Sequence, residues 1–563
     1  MICNFRNFVL QNFPFLEGDF DALTDYELFC KMMEYVKQFA KDNEEFRSKL
    51  DDLQNQIDNL DIEDAVNNKL DEMATDGTLA NLINQEIFSE LNEQVRTNTE
   101  NIGSLQTLTE NLPTDESNIA SLIKFNQYTN QPLMYGKLNL PSEFQHYGFN
   151  LYRDNDNSIN DNLDLSKYDT NNIIYVDRDN GSDTNDGSEA TPKKTIKGAL
   201  TAISSLGGTN WKVLCKTYLF FRNEFISEIT GSDTYDMYKN IVIEPYDKDK
   251  KIIVTTAQET LSWTSDGNGV YHATRSSVWD VYDMTDKDVY GIYKKVPQVD
   301  SLTDCQNIVN SYYKSGSTIY IHTKSGSAPT NTTYMINLAL STGCFNIRNN
   351  QWLRLKNIDF YVSGYMDFHN ASSNYENTLI CENVGIYYCG DNNGFSVNNV
   401  KNVYLINCKT AYNKRDGFNY HFTTMPTEVI SNSVIYEKNC ISAENGIDDE
   451  NFTNNCSSIH EGGNIIRVNG VYKNSKGPVI ADINSSKTML INCGVNQEAD
   501  NYAIQFQDTT AGSGVGRAYL IDCKCLQHQV LSLSGTDDFN IKLKNFKGNY
   551  ENSDLNISLY NEE

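Results

Sequence analysis

LRLKNI (353–358), LICENV (379–384), YLINC (404–408), YEKNC (436–440), IRVNG (466–470), MLINC (489–493), YLIDC (519–523) and KLKNF (542–546) are copies of one phrase. Each runs through apolar or β-branched residues to Asn or Asp and then to a small or apolar residue. The polar member falls at Asn357, Asn383, Asn407, Asn439, Asn469, Asn492, Asp522 and Asn545, giving intervals of 26, 24, 32, 30, 23, 30 and 23 residues. Intervals of that length, holding several short strands and no long amphipathic segment, fit one coil of a parallel β-solenoid better than a helical or propeller repeat. Stacking sets each Asn above the last, where its amide can bond its neighbours and the turn backbone, while the following Cys, Val, Ile or Phe points inward. A single coil cannot bury its apolar face alone, so the copies act as one cooperative unit.

The 563 residues leave room for several domains, and 39% hydrophobic content suffices for buried cores. Acidic residues outnumber basic ones 75 to 46, a net charge of −29. That balance argues against nucleic acid as a partner, because neutralising phosphates needs clustered Lys and Arg. The 13 cysteines are odd in number, without a CxxC pair or a zinc-spaced Cys/His cluster. Four of them, Cys408, Cys440, Cys493 and Cys523, take the inward ladder position as small packing groups, and a reduced, disulfide-free chain follows. MICNFRNFVLQNF (1–13) lacks the apolar core of a signal peptide and no run of 18 apolar residues exists. Synthesis in a cytoplasm without ordinary secretion or membrane insertion is expected.

Residues 1–22 are aromatic-rich and irregular. From Phe29 the apolar positions fall at steps of 3 and 4 (Phe29, Met32, Val36, Phe39, Asn43, Phe46, Leu50, Leu53, Ile57, Leu60), a coiled-coil seam with one polar core position. Thr24 and Glu27 have capping-box spacing. After a helical hairpin around 76–78, a second seam runs Phe88, Leu91, Val95, Asn98, Ile102, Leu105. Residues 23–112 read as an oligomerising stalk and 113–172, polar with only short apolar pieces, as a neck. IIYVD (173–177) then gives a strand, NGSDTNDG (180–187) a turn and TPKKTIKGALTAI (191–203) a short helix. DTNDG (183–187) is similar to part of a calcium loop but lacks its downstream bidentate Glu, so a structural turn is expected. Residues 258–340, aromatic-rich and irregular, read as a β subdomain inserted on one flank of the body, 173–563.

YVDRDNGSDTNDGSEATPKKTIKGAL (175–200) resembles the opening of the pectate-lyase-like right-handed β-helix superfamily, in which a first strand leads into a capping helix. NFPFLEGDFDALTDYELFCKMMEYV (12–36) and VNNKLDEMATDGTLANLINQEIF (66–88) are similar to leading segments of tail fibres and tailspikes from tailed phages of Gram-positive hosts. The expected fold is therefore an all-β, right-handed parallel β-helix body preceded by an α-helical coiled-coil stalk. The resemblance implies a homotrimeric tailspike on the phage tail, attached to the virion through residues 1–22, that binds and depolymerises a host cell-surface glycan. A purely binding tail fibre, or a structural appendage, stays open beside it. No cofactor is expected, although a divalent cation such as calcium stays open.

Two adjacent intervals, Asn407 to Asn439 and Asn439 to Asn469, are both long, and their loops gather ionisable residues. Hydrolysis of a glycoside needs one carboxylic acid and a second carboxylate, whereas elimination from a uronate needs a base and a neutralising partner. Asp416, Asp448, Asp449, Glu450, His460 and Glu461 are the catalytic candidates. Tyr387, Tyr412, Arg415, Tyr420, His421, Arg467, Tyr472 and Asp482 are the substrate-binding candidates. Some have a bland alternative: Asp416-Gly417 matches the turn-forming Asp391-Asn392-Asn393-Gly394 one coil earlier, and 447–450 serves equally as a polar loop tip.

Overall fold

The structure, a computed structural model, describes residues 136–563 except 155–157, 226–233, 259–260, 340–342, 349, 372, 374, 391, 448–452, 499–500, 508–514, 528–532, 535–538, 549–555 and 561–563. The expected attachment segment, stalk and the start of the neck lie outside these residues. The body is a stack of coils, each contributing up to three strands to three parallel ladders. One coil shows the plan. Asn402–Ile406 lies on the first face, Lys409–Ala411 on the second and Phe418–His421 on the third. The next coil repeats it with Val434–Lys438, Ile441–Asn445 and Ser457–Ile459, every strand in parallel register with its predecessor. The ladders run from Ile173–Val176 to Asn556–Leu559.

Each ladder Asn is the corner between the first and second faces. Asn357, Asn383, Asn407, Asn439, Asn469, Asn492, Asp522 and Asn545 all have φ between 50° and 55°. Asn and Asp tolerate this left-handed conformation better than other side-chain-bearing residues, which explains the residue choice beyond hydrogen bonding. The amides also bond along the stack, Asn383 to Asn357 at 2.7 Å, Asn439 to Asn407 at 3.0 Å, and Asn492 to Asn469 at 2.9 Å. The next residue points inward as expected: Ile358, Val384, Cys408, Cys440, Cys493, Cys523 and Phe546 are buried. The described cysteines are buried free thiols.

A helix, α1 (Ile196–Ser205), packs Ile196, Ala199, Leu200 and Ile203 into the core at the first coils. Its N-cap Thr195 accepts from Gly198 N at 2.8 Å. Asp183 in turn accepts from Thr195 N and Oγ1, and Asp186 from Ser188 N and Thr191 Oγ1, so these two acidic groups of the 183–187 turn bond the chain itself.

Two features position the site. Residues 136–172 contain a three-stranded sheet and lay Phe144, Tyr147, Phe149, Leu151 and Ile159 against outward residues of the first face, among them Tyr436, Ile466, Met489 and Tyr519. This stretch covers the solenoid and is not a bare polar linker. The first-face strands are buried on both sides, which accounts for apolar runs such as VYLI (403–406) and MLI (489–491). Residues 264–338 form two antiparallel sheets around Val281, Val296, Ile319 and Ile321. One of them, built on Val278–Lys287, packs Tyr282 against Tyr361 and Tyr388 of the coils.

Candidate functional site

The second and third faces meet at another left-handed corner, occupied in successive coils by Tyr388, Tyr412, Glu444 and Asn474, with φ of 61°, 59°, 55° and 55°. Tyrosine pays for this backbone with roughly 1 kcal/mol or more. The strain turns its ring outward. Tyr388 and Tyr412 stack with centroids 5.0 Å apart and planes 11° apart. The inserted sheet faces them across a cleft of about 880 Å³, which Trp279, Asp280, Asp288, Lys294, Lys295 and Lys314 line from the insertion and Tyr388, Tyr412, Lys414 and Glu444 from the coils. Trp279 is 37% exposed and lies over Gly390, where a Cβ would come 2.4 Å from the indole.

The polar groups of the cleft are held in place. Tyr412 donates its hydroxyl to Asp288 at 2.7 Å, and the other Asp288 oxygen accepts from Tyr290 N and Ile292 N. Burial and the adjacent Asp288 carboxylate push the Tyr412 phenol well above its usual range. Glu444 accepts from Asn474 Nδ2 at 2.6 Å and from Tyr290 at 3.3 Å. Burial, then Glu444, raises the Tyr290 phenol to about 12, so it remains a donor at neutral pH. Lys295 pairs with Asp280 at 2.8 Å. The arrangement offers ring faces, two oriented carboxylates and ammonium groups on opposing walls.

Of the residues expected from sequence, Tyr412 lies in this cleft. Several others do not reach solvent, correcting their assignment to substrate. Tyr387 is buried and donates to Asp359 at 3.1 Å. Tyr420, Arg467, Tyr472 and Asp482 lie inside the solenoid around Glu437. Tyr420 and Tyr472 donate to its two oxygens at 2.9 and 2.5 Å, and Arg467 is bidentate to Asp482 at 2.7 and 2.8 Å. Burial opposes the Arg467 charge, but Asp482 and Glu437 outweigh it and hold the guanidinium protonated. A charged group inside the coils survives only when so paired.

Asp416 is also corrected. It is 8% exposed and bridges coils by accepting from Asn455 N at 2.7 Å, Asn419 Nδ2 at 2.7 Å and Ser458 Oγ at 2.9 Å. Burial raises its carboxyl pKa despite these donors. The bland turn reading was the physical one, and at Gly417 a Cβ would meet Ser442 Oγ at 2.1 Å. Arg415 is half-buried at the start of the same turn. Asp448, Asp449 and Glu450 lie outside the described residues.

His421, His460 and Glu461 do come together, at the third face and away from the cleft lining. The two imidazoles stack at 4.0 Å, and His421 Nδ1 lies 3.2 Å from Glu461 Oε1. Burial, followed by the neighbouring His421, lowers the His460 pKa to about 4. Burial would raise the Glu461 carboxyl, but hydrogen bonds from His421 and Phe422 N prevail and lower it.

The insertion's contribution, Trp279, Asp280 and Asp288, was missed because these residues stand more than 90 positions before the coils they face. Tyr388 was legible: it precedes Tyr412 by 24 residues, the interval between Asn383 and Asn407. Tyr387, expected from sequence, stands one residue away from this corner, and a shift of one residue in a strand exchanges the two faces.

No family model and no curated protein matches this chain. Among solved structures it is similar to a glycoside hydrolase at 9% identity and TM-score 0.38, over 68% of this chain and 99% of that one. It is similar to XylC in complex with xylose at 11% and 0.32, over 66% and 65% of the two chains, and to pectate lyase Pel9A at 14% and 0.32, over 67% and 80%. At these scores no activity is transferred from them, and the fold rests on the strand register.

Proposed function

We propose that the protein engages an extended, anionic cell-surface glycan in the cleft between the insertion and the coils and cleaves it there, as the body of a phage tailspike. The observation that carries this reading is the cleft wall itself. Trp279, Tyr388 and Tyr412 present rings beside Glu444 and Asp288, the pairing of apolar faces and a few placed polar groups that a ligand site needs. Four lysines line a cleft in a chain of net charge −29. Lys294 and Lys295 pair with Asp286 and Asp280, so the lysines answer nearby carboxylates in part, and ammonium groups beside the rings suit a uronate-bearing or phosphodiester-linked chain. Two carboxylates can divide acid and base or nucleophile roles in glycoside cleavage, and this reading assigns those roles to Glu444 and Asp288, which line the same cleft.

The remaining parts of the reading rest on the sequence resemblances: right-handed winding, a coiled-coil stalk at 23–112 that makes a homotrimer, attachment to the tail through 1–22, and a place on the virion. The test is incubation of the full-length protein with wall teichoic acid, a uronate-containing polysaccharide and a neutral polysaccharide, reading chain length and new ends. Shortening of an anionic chain is expected. An intact set of anionic glycans, or equal action on the neutral one, contradicts the proposal.

A further inference from the structure

Phe418–His421 and Ser457–Ile459 are neighbouring strands of the third face, with Tyr420 level with Ile459. Extending that register by one residue sets His421 beside His460, which is why the rings stack at 4.0 Å. The chain then turns sharply. Glu461 and Gly462 have φ of 55° and 79°, and the turn brings the Glu461 side chain back over the preceding coil. There one carboxylate oxygen accepts from Phe422 N at 2.8 Å and the other lies 3.2 Å from His421 Nδ1.

One nitrogen of each imidazole and one Glu461 oxygen lie within 4.8 Å of one another. Ligand atoms around a tetrahedral zinc, with bonds of about 2.0–2.2 Å, stand about 3.3–3.6 Å apart, so small rotations of these side chains close the set. His460 Nε2 is buried with no hydrogen-bond partner among the described residues, whereas buried imidazole nitrogens are ordinarily bonded. His421 and Glu461 each keep about 30% of their side chain exposed, which leaves an entry path and a free coordination position. Phe422 N is the outer partner that fixes the carboxylate, as metal-ligating carboxylates are commonly held.

We propose that His421, His460 and Glu461 form a binding site for a divalent transition-metal ion of the zinc class. Two imidazoles and one carboxylate select zinc or cobalt over calcium and magnesium, which prefer all-oxygen sets. The site is separate from the cleft lining, and its existence does not depend on the glycan reading. A second trio on the same face, Cys344, Asp367 and His369, supplies a thiol and is the natural competitor. In it Cys344 Sγ lies 2.9 Å from His369 Nδ1, and Asp367 accepts from Asn398 Nδ2 at 2.8 Å.

The test is titration of the full-length, metal-stripped protein with Zn²⁺ and Ca²⁺ by calorimetry, and with Co²⁺ by visible absorption. One equivalent of Zn²⁺ that Ca²⁺ does not displace, with a four-coordinate Co²⁺ spectrum lacking a thiolate charge-transfer band, is expected. His421→Gln and, separately, Glu461→Gln should weaken it by about tenfold or more, since even outer partners of a metal site count on that scale. Both side chains are partly exposed, so these variants should fold, and an unchanged melting temperature without metal checks this. Cys344→Ser should bind as the parent does. No Zn²⁺ binding, binding unaffected by both substitutions, or a thiolate band lost in Cys344→Ser overturns the proposal.

Discussion

Arg467 and Asp482 face each other inside the coils, both fully buried, joined by two hydrogen bonds of 2.7 and 2.8 Å. The guanidinium also bonds Ser457 Oγ and Thr488 Oγ1, so it ties neighbouring coils together at several points. Removing one partner strands the other charge in the interior. Asp482→Ala should cost about 3–5 kcal/mol, measured by denaturant unfolding. A loss below about 1 kcal/mol would show that water reaches Arg467 and that the network is not buried.

Asp416 should behave differently, because burial raises its folded pKa above the unfolded value. Its contribution is greatest below the unfolded value, about 3.9, and declines as pH rises through the raised folded value. Asn419 Oδ1 is buried without a partner among the described residues, so an amide at 416 can donate to a flipped Asn419. Asp416→Asn is therefore expected within about 1 kcal/mol of the parent at pH 7, with a flatter stability profile at acid pH. Asp416→Ala, which abandons three donors, should lose about 2–4 kcal/mol. Thermal melts from pH 4 to 7 separate these outcomes, and an Asn variant as damaged as the Ala variant would refute the assignment.

The asparagine ladder makes a sharper comparison. Asn439 has φ 53° and bonds both Asn407 and Asn469. Asn439→Gly loses the bonds but keeps the backbone at ease, and should cost about 1 kcal/mol. Asn439→Ala adds the left-handed penalty and should cost about 2–3 kcal/mol. If Gly and Ala melt alike, the ladder depends on its amides and not on its dihedrals.

These cases mark how far the sequence could be read. The eight phrases announced coils because one residue type must recur at each left-handed corner, and the inward Cys, Val and Ile followed from the strand period. The second corner was less visible. Tyr388, Tyr412, Glu444 and Asn474 share a backbone conformation but not a residue type, and beyond the Tyr388–Tyr412 pair no repeated letter marks them. Arg467, Asp482 and Tyr420 read as surface groups in the sequence because polar residues are ordinarily exposed, and only the structure shows that, together with Glu437, they are satisfied within the core. The docking of 136–172 is foreshadowed by first-face stretches such as VYLI (403–406) and MLI (489–491), whose consecutive apolar residues need cover on both sides.

Within the cleft, Trp279 lies over Gly390 and beside the Tyr388–Tyr412 stack. Trp279→Ala and Gly390→Ala should each weaken glycan binding by about tenfold, equivalent to about 1.4 kcal/mol, the first by removing the ring and the second by displacing it. Tyr387→Phe, a change inside the wall, should leave affinity unchanged. Calorimetry with a purified oligosaccharide decides, and equal affinity for the parent and Trp279→Ala would remove the ring from the site.

The most direct measurement is a crystal structure of the Glu444→Gln variant with an oligosaccharide of the glycan that the parent shortens. Sugar rings lying against Tyr412 and Trp279, with a glycosidic oxygen near residue 444 or Asp288, are the predicted result. Sugar density along the third face beside His421, or between subunits with the cleft vacant, would contradict the account.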